Sequence, residues 1–298
     1  MGLIRNAIKQ GVIAATHALS KVGQQKTDCD LFIVGAGPAG LAAGLTAIAK
    51  RKSYILIEQN GFGGTVYNFP RQKIVMTHPF DLPMMGQMKF ESNKVSKEQL
   101  LRYWNTVRQK TGLKVHEQVR FLNLEKIGDV FKISTNQGDY TARKVLLSMG
   151  VRGSPRKLGV PGEDKPKVTY NLLEPEQYQN QDVIVVGGGN AGVEAAQMLA
   201  HPKWKNRVHL LVRSSVFDRC NEENQNKIKS MEQQGLLKIW MNSSIQEIQD
   251  TEVKVLKGND SVSLKNSYVF IFAGAEMPHK FLMSLGISID KKYGERAA

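Results

Sequence analysis

An α/β fold of two similar domains is predicted by two stretches that share one grammar. In the first, Asp30 to Gly40, an apolar run stops at a glycine-rich turn and continues as Leu-Ala-Ala-Gly-Leu-Thr-Ala. In the second, Asp182 to Gly192, the run Val-Ile-Val-Val meets Gly-Gly-Gly-Asn-Ala-Gly and continues as Val-Glu-Ala-Ala-Gln-Met-Leu-Ala. Each reads as the strand, tight turn and helix of a Rossmann-like dinucleotide-binding domain.

The physical roles within the first turn follow from what glycine permits. Gly35 allows the tight turn, Gly37 lets the backbone approach a pyrophosphate, and Gly40 lets the helix pack on the strand, with Pro38 and Ala39 between them. The helix N-terminus offers free N–H groups to the phosphates. A second apolar run, Tyr54 to Ile57, ends in Glu58, an acid at the distance where it would accept hydrogen bonds from ribose hydroxyls. After it, Gly61, Gly63 and Gly64 allow a bulky planar ligand to come close.

In the second unit Gly187, Gly189 and Gly192 take the three glycine roles, with Asn190 and Ala191 in the same turn. The next run, Val208 to Val212, ends in Arg213 where the first unit has an acid. A guanidinium there favours a 2′-phosphate over a free ribose diol, and Arg219 in the following loop is a second candidate. A solvated surface arginine is the alternative.

Composition bounds the class. The chain has 298 residues, 41% hydrophobic and 23% charged, which is ordinary for a globular protein of two domains. No apolar run approaches the roughly eighteen residues needed to cross a bilayer. The formal charge of +14 predicts attraction to acidic surfaces. No aromatic-basic interleaving accompanies it, which argues against nucleic acid. Cys29 and Cys220 form neither a C-x-x-C nor a metal cluster, so the chain reads as reduced and cytoplasmic, with no metal site. Both cysteines read as structural, Cys29 because it directly precedes a buried strand and Cys220 because it lies in a polar loop; the alternative at Cys220 is a thiol whose pKa the flanking cations lower.

The remaining elements fill in between. Residues 1–26 carry Arg5, Lys9, Lys21 and Lys26 without an acid, and apolar residues at helical spacing: a basic amphipathic helix that either packs on its own protein or contacts a membrane surface. Packing would bury Ile4, Ile8 and Ile13. Met76 to Phe90 reads as an irregular lid. Ser96 caps a helix to about Lys110, short strands follow near Val115, Phe121 and Phe131, and Lys144 to Met149 is a buried strand. The punctuation from Gly150 to Glu163 marks a domain crossing, and Gly274 to Pro278 marks the return. The expected division is 1–26 helix, 27–152 first domain, 153–275 inserted second domain, and 276–298 the start of the return, which stops at Ala298. His78 and His279 are weighed for protonating an acceptor, but a lone histidine is more often structural, and no catalytic residue is assigned.

Gly-Ala-Gly-Pro-Ala-Gly with Glu58, the loop Gly63-Gly64-Thr65-Val66-Tyr67-Asn68-Phe69-Pro70, Ser148-Met149-Gly150, Val160-Pro161-Gly162-Glu163, and Gly187 to Gly192 together resemble the thioredoxin-reductase-like flavoproteins over about residues 28 to 290. The likeness is greatest to the bacillithiol-disulfide reductase-like branch. It implies FAD at Gly35 to Glu58, with Gly63, Gly64, Thr65, Asn68 and Gly150 in the same site. It implies NADPH at Gly187 to Arg213, and hydride transfer from nicotinamide to the isoalloxazine N5.

Three departures matter. The family's C-x-x-C before the second nucleotide strand is replaced by Tyr170-Asn171-Leu172-Leu173-Glu174. The cysteine that the branch carries in its first glycine turn is Ala39. The family's closing segment is missing at Ala298, while Leu3 to Ala15 resembles its last helix, through permutation, cutting from a longer chain, or chance. The first two departures exclude a dithiol relay. Electrons are then expected to pass from the flavin directly to an acidic ferredoxin-like protein or a small disulfide, with a homodimer as the candidate assembly. The alternative is a non-catalytic NAD(P)-binding sensor with weakened FAD binding.

Overall fold

The computed structural model describes residues 4–76, 78–88, 90–92, 94–150 and 155–290. Met1–Leu3, the crossing at 151–154, where the first two domains were expected to meet, and the final residues 291–298 lie outside the described residues. The chain forms two compact units. One comprises Met1–Asn68, Gln72–Gly153 and Met277–Ala298, the other Phe69–Arg71 and Ser154–Glu276.

The first unit is built on a six-stranded sheet. Its elements are α1 (Ile4–Ser20), β1 (Cys29–Val34), α2 (Pro38–Ala49), β2 (Tyr54–Glu58), β3 (Ile74–Met76), β4 (Phe80–Leu82), β5 (Gly86–Met88), β6 (Lys94–Ser96), α3 (Lys97–Thr111), β7 (His116–Glu117), β8 (Phe121–Ile127), β9 (Val130–Thr135) and β10 (Gly138–Leu147). The strand order is β7-β2-β1-β10-β9-β8. β7, β2, β1 and β10 run parallel, and β9 and β8 add an antiparallel meander. Every residue of β1 is buried, as a central parallel strand covered on both faces requires.

Helix α2 is apolar all round, and its residues Gly40 to Thr46 and Ala47 are buried without interruption. A helix of that kind needs a layer on each side. β1 and β2 supply one side and α1 the other. The packing alternative for the N-terminal helix is therefore the one the structure shows, with a different stripe. Ile8, Gly11, Ala15 and Leu19 are buried, Ile4 is half-buried, and Ile13 is 57% exposed. The small residue Gly11 sets the contact line, and Ile13, about 200° further round the helix, faces outward. The apolar stripe that a lipid surface would need is thus used inside the unit.

The helix capped by Ser96 is α3: Ser96 Oγ accepts from Gln99 N–H at 3.2 Å, and Gln99 Oε1 accepts from Ser96 N–H at 2.8 Å. The stretch read as an irregular lid contains the β4–β5 hairpin, with Phe80, Leu82 and Met88 buried. β10 begins at Gly138, several residues before Lys144, because β9 pairs with its first half, and it is not the buried strand expected: only Ala142 is buried, while Lys144 to Met149 are half-buried.

The second unit has β11 (Val168–Thr169), β12 (Asp182–Val186), α4 (Asn190–Leu199), β13 (Arg207–Leu211), α5 (Glu222–Gln233), β14 (Leu237–Trp240), β15 (Ser243–Ile248), β16 (Glu252–Lys257), β17 (Asp260–Lys265) and β18 (Tyr268–Ile271). Its main sheet is all parallel, in the order β11-β18-β12-β13-β14. Successive residues of β12 feed opposite cores. Val183 and Val185 pack with Val193, Ala196 and Leu199 of α4, while Ile184 packs with Ile245, Val253 and Val255 of the antiparallel β15–β16–β17 meander. After β18 the short α6 (His279–Ser284) belongs to the first unit, where Phe281 meets the Phe121 ring edge-on at 5.8 Å.

Candidate functional site

The first glycine turn sits at the carboxyl end of β1. Gly35 has φ +98°, its N–H donates to Ile57 O at 2.8 Å, and a Cβ there would come within 2.6 Å of Ser148 O. A Cβ on Gly40 would overlap Gly35 O. At Gly37, the N-cap of α2 with Pro38 after it, an added Cβ would meet nothing within 4 Å. The outer two glycines are closed by protein and the middle one faces open space, which is the shape a pyrophosphate requires beside a helix N-terminus. The residues present fit the diphosphate of FAD on this observation.

The loop after β2 folds back onto that turn. Gly63 has φ +117° and donates its N–H to Ala36 O at 3.1 Å. Gly64, at φ +57°, lies so near that a Cβ would sit 3.0 Å from Gly37 Cα and 3.7 Å from Glu58 Oε2. Thr65 is exposed and Asn68 half-buried on the turn that follows. Gly150, at φ +72°, lies just past β10 with open space around its Cα.

Glu58 is only 5% exposed, and its carboxylate faces the turn: Oε2 accepts from Ala36 N–H at 2.9 Å and Oε1 from Asn60 N–H at 3.0 Å. Each oxygen keeps acceptor capacity for a ribose hydroxyl. The carboxylate also ties the glycine turn to the following loop, a part not read from sequence. Two further residues hold this cradle. Ser148 Oγ lies 2.8 Å from both Val34 O and Gly35 O, fixing the end of β10 against the turn. Glu117 accepts from Phe62 N–H at 2.9 Å and pairs with Arg108 at 2.7 Å, securing the Gly61–Gly63 segment. Ser148 lay inside a quoted motif, but nothing in the spacing pointed to Glu117.

The second turn repeats the geometry at the end of β12. Gly187 has φ +134° and donates to Leu211 O at 2.9 Å, and a Cβ on it would overlap Phe272 O. A Cβ on Gly192 would overlap Gly187 O, whereas one on Gly189 would have only Arg219 O nearby, at 3.8 Å. Ala191 is exposed in the first turn of α4. The side chain of Asn190 is turned inward, its Oδ1 accepting from Asn221 N–H at 2.9 Å. Arg213 and Arg219 are both exposed in the loop after β13, and neither has an acidic partner among the described residues.

The thiols are not activated. Burial pushes Cys29 up to about 12. Burial and the Glu194 carboxylate also raise Cys220, against the alternative in which Arg213 and Arg219 lower its pKa. Both cysteines are free. Among the described residues no cluster of His, Cys, Asp or Glu could hold a metal, and no helix is long and apolar enough to cross a membrane. Glu163, quoted for its motif, is occupied by Leu158 N–H, Gly159 N–H and Tyr170 O–H at 2.7, 2.7 and 2.8 Å. His78 is exposed and His279 opens α6.

Comparison with known proteins agrees with this geometry. The family model for pyridine nucleotide-disulphide oxidoreductases matches residues 32–296. Bacilliredoxin reductase Bdr of Bacillus subtilis is 28% identical over 268 residues, covering 88% of this chain and 82% of that protein. A ferredoxin–NADP reductase of Ignicoccus hospitalis is 31% identical over 172 residues, 57% of this chain and 52% of its own. The solved bacillithiol disulfide reductase Bdr of Staphylococcus aureus superposes with a TM-score of 0.78 at 26% identity, over 88% of this chain and 81% of that one. Two Rossmann-like units, the second inserted into the first, and a match across nearly the whole length give one conclusion: the chain belongs to the pyridine nucleotide-disulphide oxidoreductases, flavin-dependent NAD(P)H oxidoreductases with FAD and NADPH as cofactors.

Proposed function

We propose that this protein passes reducing equivalents from NADPH to FAD and then directly to a docked acceptor, without a protein dithiol. The observation that carries the reading is the state of its two thiols: Cys29 is buried with its pKa near 12, Cys220 is raised, and no C-x-x-C occurs in the chain. Neither cysteine supplies the thiolate that a disulfide relay needs.

When bound, FAD supplies the step between two-electron exchange with a nicotinamide and delivery to the acceptor. The chain's own residues bind and orient. Gly35, Gly37, Pro38, Ala39 and Gly40 cradle the FAD pyrophosphate at the start of α2, Glu58 takes the ribose, and Gly63, Gly64, Thr65, Asn68 and Gly150 lie along the rest of the cofactor. Gly187, Gly189, Asn190, Ala191 and Gly192 do the same for NADPH, with Arg213 and Arg219 at its 2′-phosphate. No side chain is assigned a proton, because the work is positioning and exclusion of water.

Charge supports an acidic protein as acceptor. Almost the whole excess of lysine and arginine falls in the first unit, whereas in the second they outnumber the acids by one. An acidic ferredoxin-like partner would be steered to the first unit. Likeness to the bacillithiol disulfide reductase of Staphylococcus aureus favours a small disulfide as the second reading. The test is reduction of ferricyanide and of an acidic ferredoxin by the purified yellow protein with NADPH, across a salt series. Ferredoxin reduction that weakens with salt while ferricyanide reduction holds supports the acidic acceptor. A colourless protein that binds NADPH but reduces neither favours the sensor.

A further inference from the structure

The loop that presents Arg213 and Arg219 is fastened along its length. Ser214 O accepts from Asn242 N–H at 3.2 Å. Phe217 is buried beside Val212 and Gly188. Gln225 Nε2 donates to two carbonyls of the loop, Phe217 O at 3.0 Å and Cys220 O at 2.8 Å. Asn190 Oδ1 accepts from Asn221 N–H at 2.9 Å and from Asn224 Nδ2 at 3.2 Å. Asn224 Nδ2 also reaches Glu194 Oε1 at 3.0 Å, and the buried Gln197 donates to Asn224 O at 3.2 Å.

These amides hold the start of α5 against the start of α4. The consequence falls on the arginines. Both are left exposed, and the backbone of Arg219 is held beside Gly189, the open glycine of the turn. An arginine on a loose loop must be ordered before it grips a phosphate, and that ordering subtracts from affinity. On a fastened loop the cost has been met in folding. Asn190 joins the two ends of the site: its main chain forms the first residue of α4, while its side chain fastens the loop.

We propose that Asn190 and Gln225 are positioning residues that set the preference for a 2′-phosphorylated dinucleotide by holding Arg213 and Arg219 over the second glycine turn. This rests on the reading of that turn as the NADPH site. The pair acts on selectivity: losing either side-chain clamp loosens the arginines, and Gln225, which lies outside the glycine cradle, separates that effect from contact with the pyrophosphate.

The test is calorimetric titration of the flavin-loaded protein with 2′,5′-ADP and with 5′-ADP, comparing wild type, Arg213→Ala, Asn190→Ala and Gln225→Leu. The expected result is that both clamp variants weaken 2′,5′-ADP by roughly five- to twentyfold, following Arg213→Ala in direction, and that Gln225→Leu, outside the cradle, weakens 5′-ADP by less than about twofold. If Arg213→Ala loses selectivity and the clamp variants keep it, the positioning role is overturned and the NADPH reading stands. If Gln225→Leu loses both ligands equally, its role is general support of the fold and the proposal is overturned. A wild-type protein that does not distinguish the two ligands removes the NADPH reading and the proposal with it. Should Asn190→Ala fail to fold, Gln225→Leu, on the far side of the loop, decides alone.

Discussion

Gly11 of α1 lies against the carbonyl of Ala39 in the first turn of α2, so close that a Cβ on Gly11 would overlap the oxygen. The N-terminal helix therefore braces the turn of α2 that cradles the first dinucleotide in our reading. Overpacking at such a contact costs about 1–3 kcal/mol. Gly11→Val is expected to lower the thermal midpoint and the flavin content together, and removal of residues 1–24 to lower both further. Flavin absorbance per protein and a melting curve check it. Unchanged values for both after the deletion would refute the bracing role.

Gly37 separates binding from folding. Its backbone is extended at φ −73°, and an added Cβ meets no heavy atom within 4 Å beyond its chain neighbours. Gly37→Val is expected to leave the melting temperature of the flavin-free protein unchanged while abolishing flavin retention. Gly40→Val, which drives a side chain into Gly35 O, is expected to destabilise the fold itself. Full flavin loading in Gly37→Val would sink the assignment of the first cradle.

The thiols offer a direct check on the electron path. With Cys29 and Cys220 both replaced by serine, NADPH-driven reduction of ferricyanide is expected to persist. The buried Cys29 site tolerates the hydroxyl less well than the half-buried Cys220 site, so flavin content is measured alongside. Lost activity with flavin retained would place a thiol in the path.

Acid stability has an assignable source in the second unit. Arg207 hydrogen bonds to the nearly buried Asp182 hold its carboxyl below the usual carboxylate range, against burial that pushes it up. The native carboxyl has a lower pKa than in the unfolded chain, so the stabilisation is present above the unfolded value and is lost as pH falls through the native one. Urea midpoints measured from about pH 5 to about pH 3 are expected to fall less steeply in Asp182→Asn than in the wild type. Equal slopes would show that the pair does not contribute.

Much of this was legible in the chain. The turns at Gly35 and Gly187 could be read because the need for a positive φ and a close backbone approach is local, fixed within a few residues. The capping box at Ser96 and Gln99 is local in the same way. The β4–β5 hairpin was missed because its three-residue strands carry too few alternations to show a period.

The sequence by itself determined the two glycine cradles, the strands that feed them and the lack of a dithiol, since each depends on residue identity and short-range spacing. Only the tertiary structure decided that Gly11 rather than Ile13 marks the buried face of α1, that Glu117 and Ser148 secure the first cradle, that Cys220 is raised rather than lowered, and that the Asn190 side chain turns to the loop. Each of these depends on which distant segment arrives beside the residue. Helical periodicity names a stripe but not the backbone it meets, and a thiol's pKa follows the burial and carboxylate that the fold brings to it.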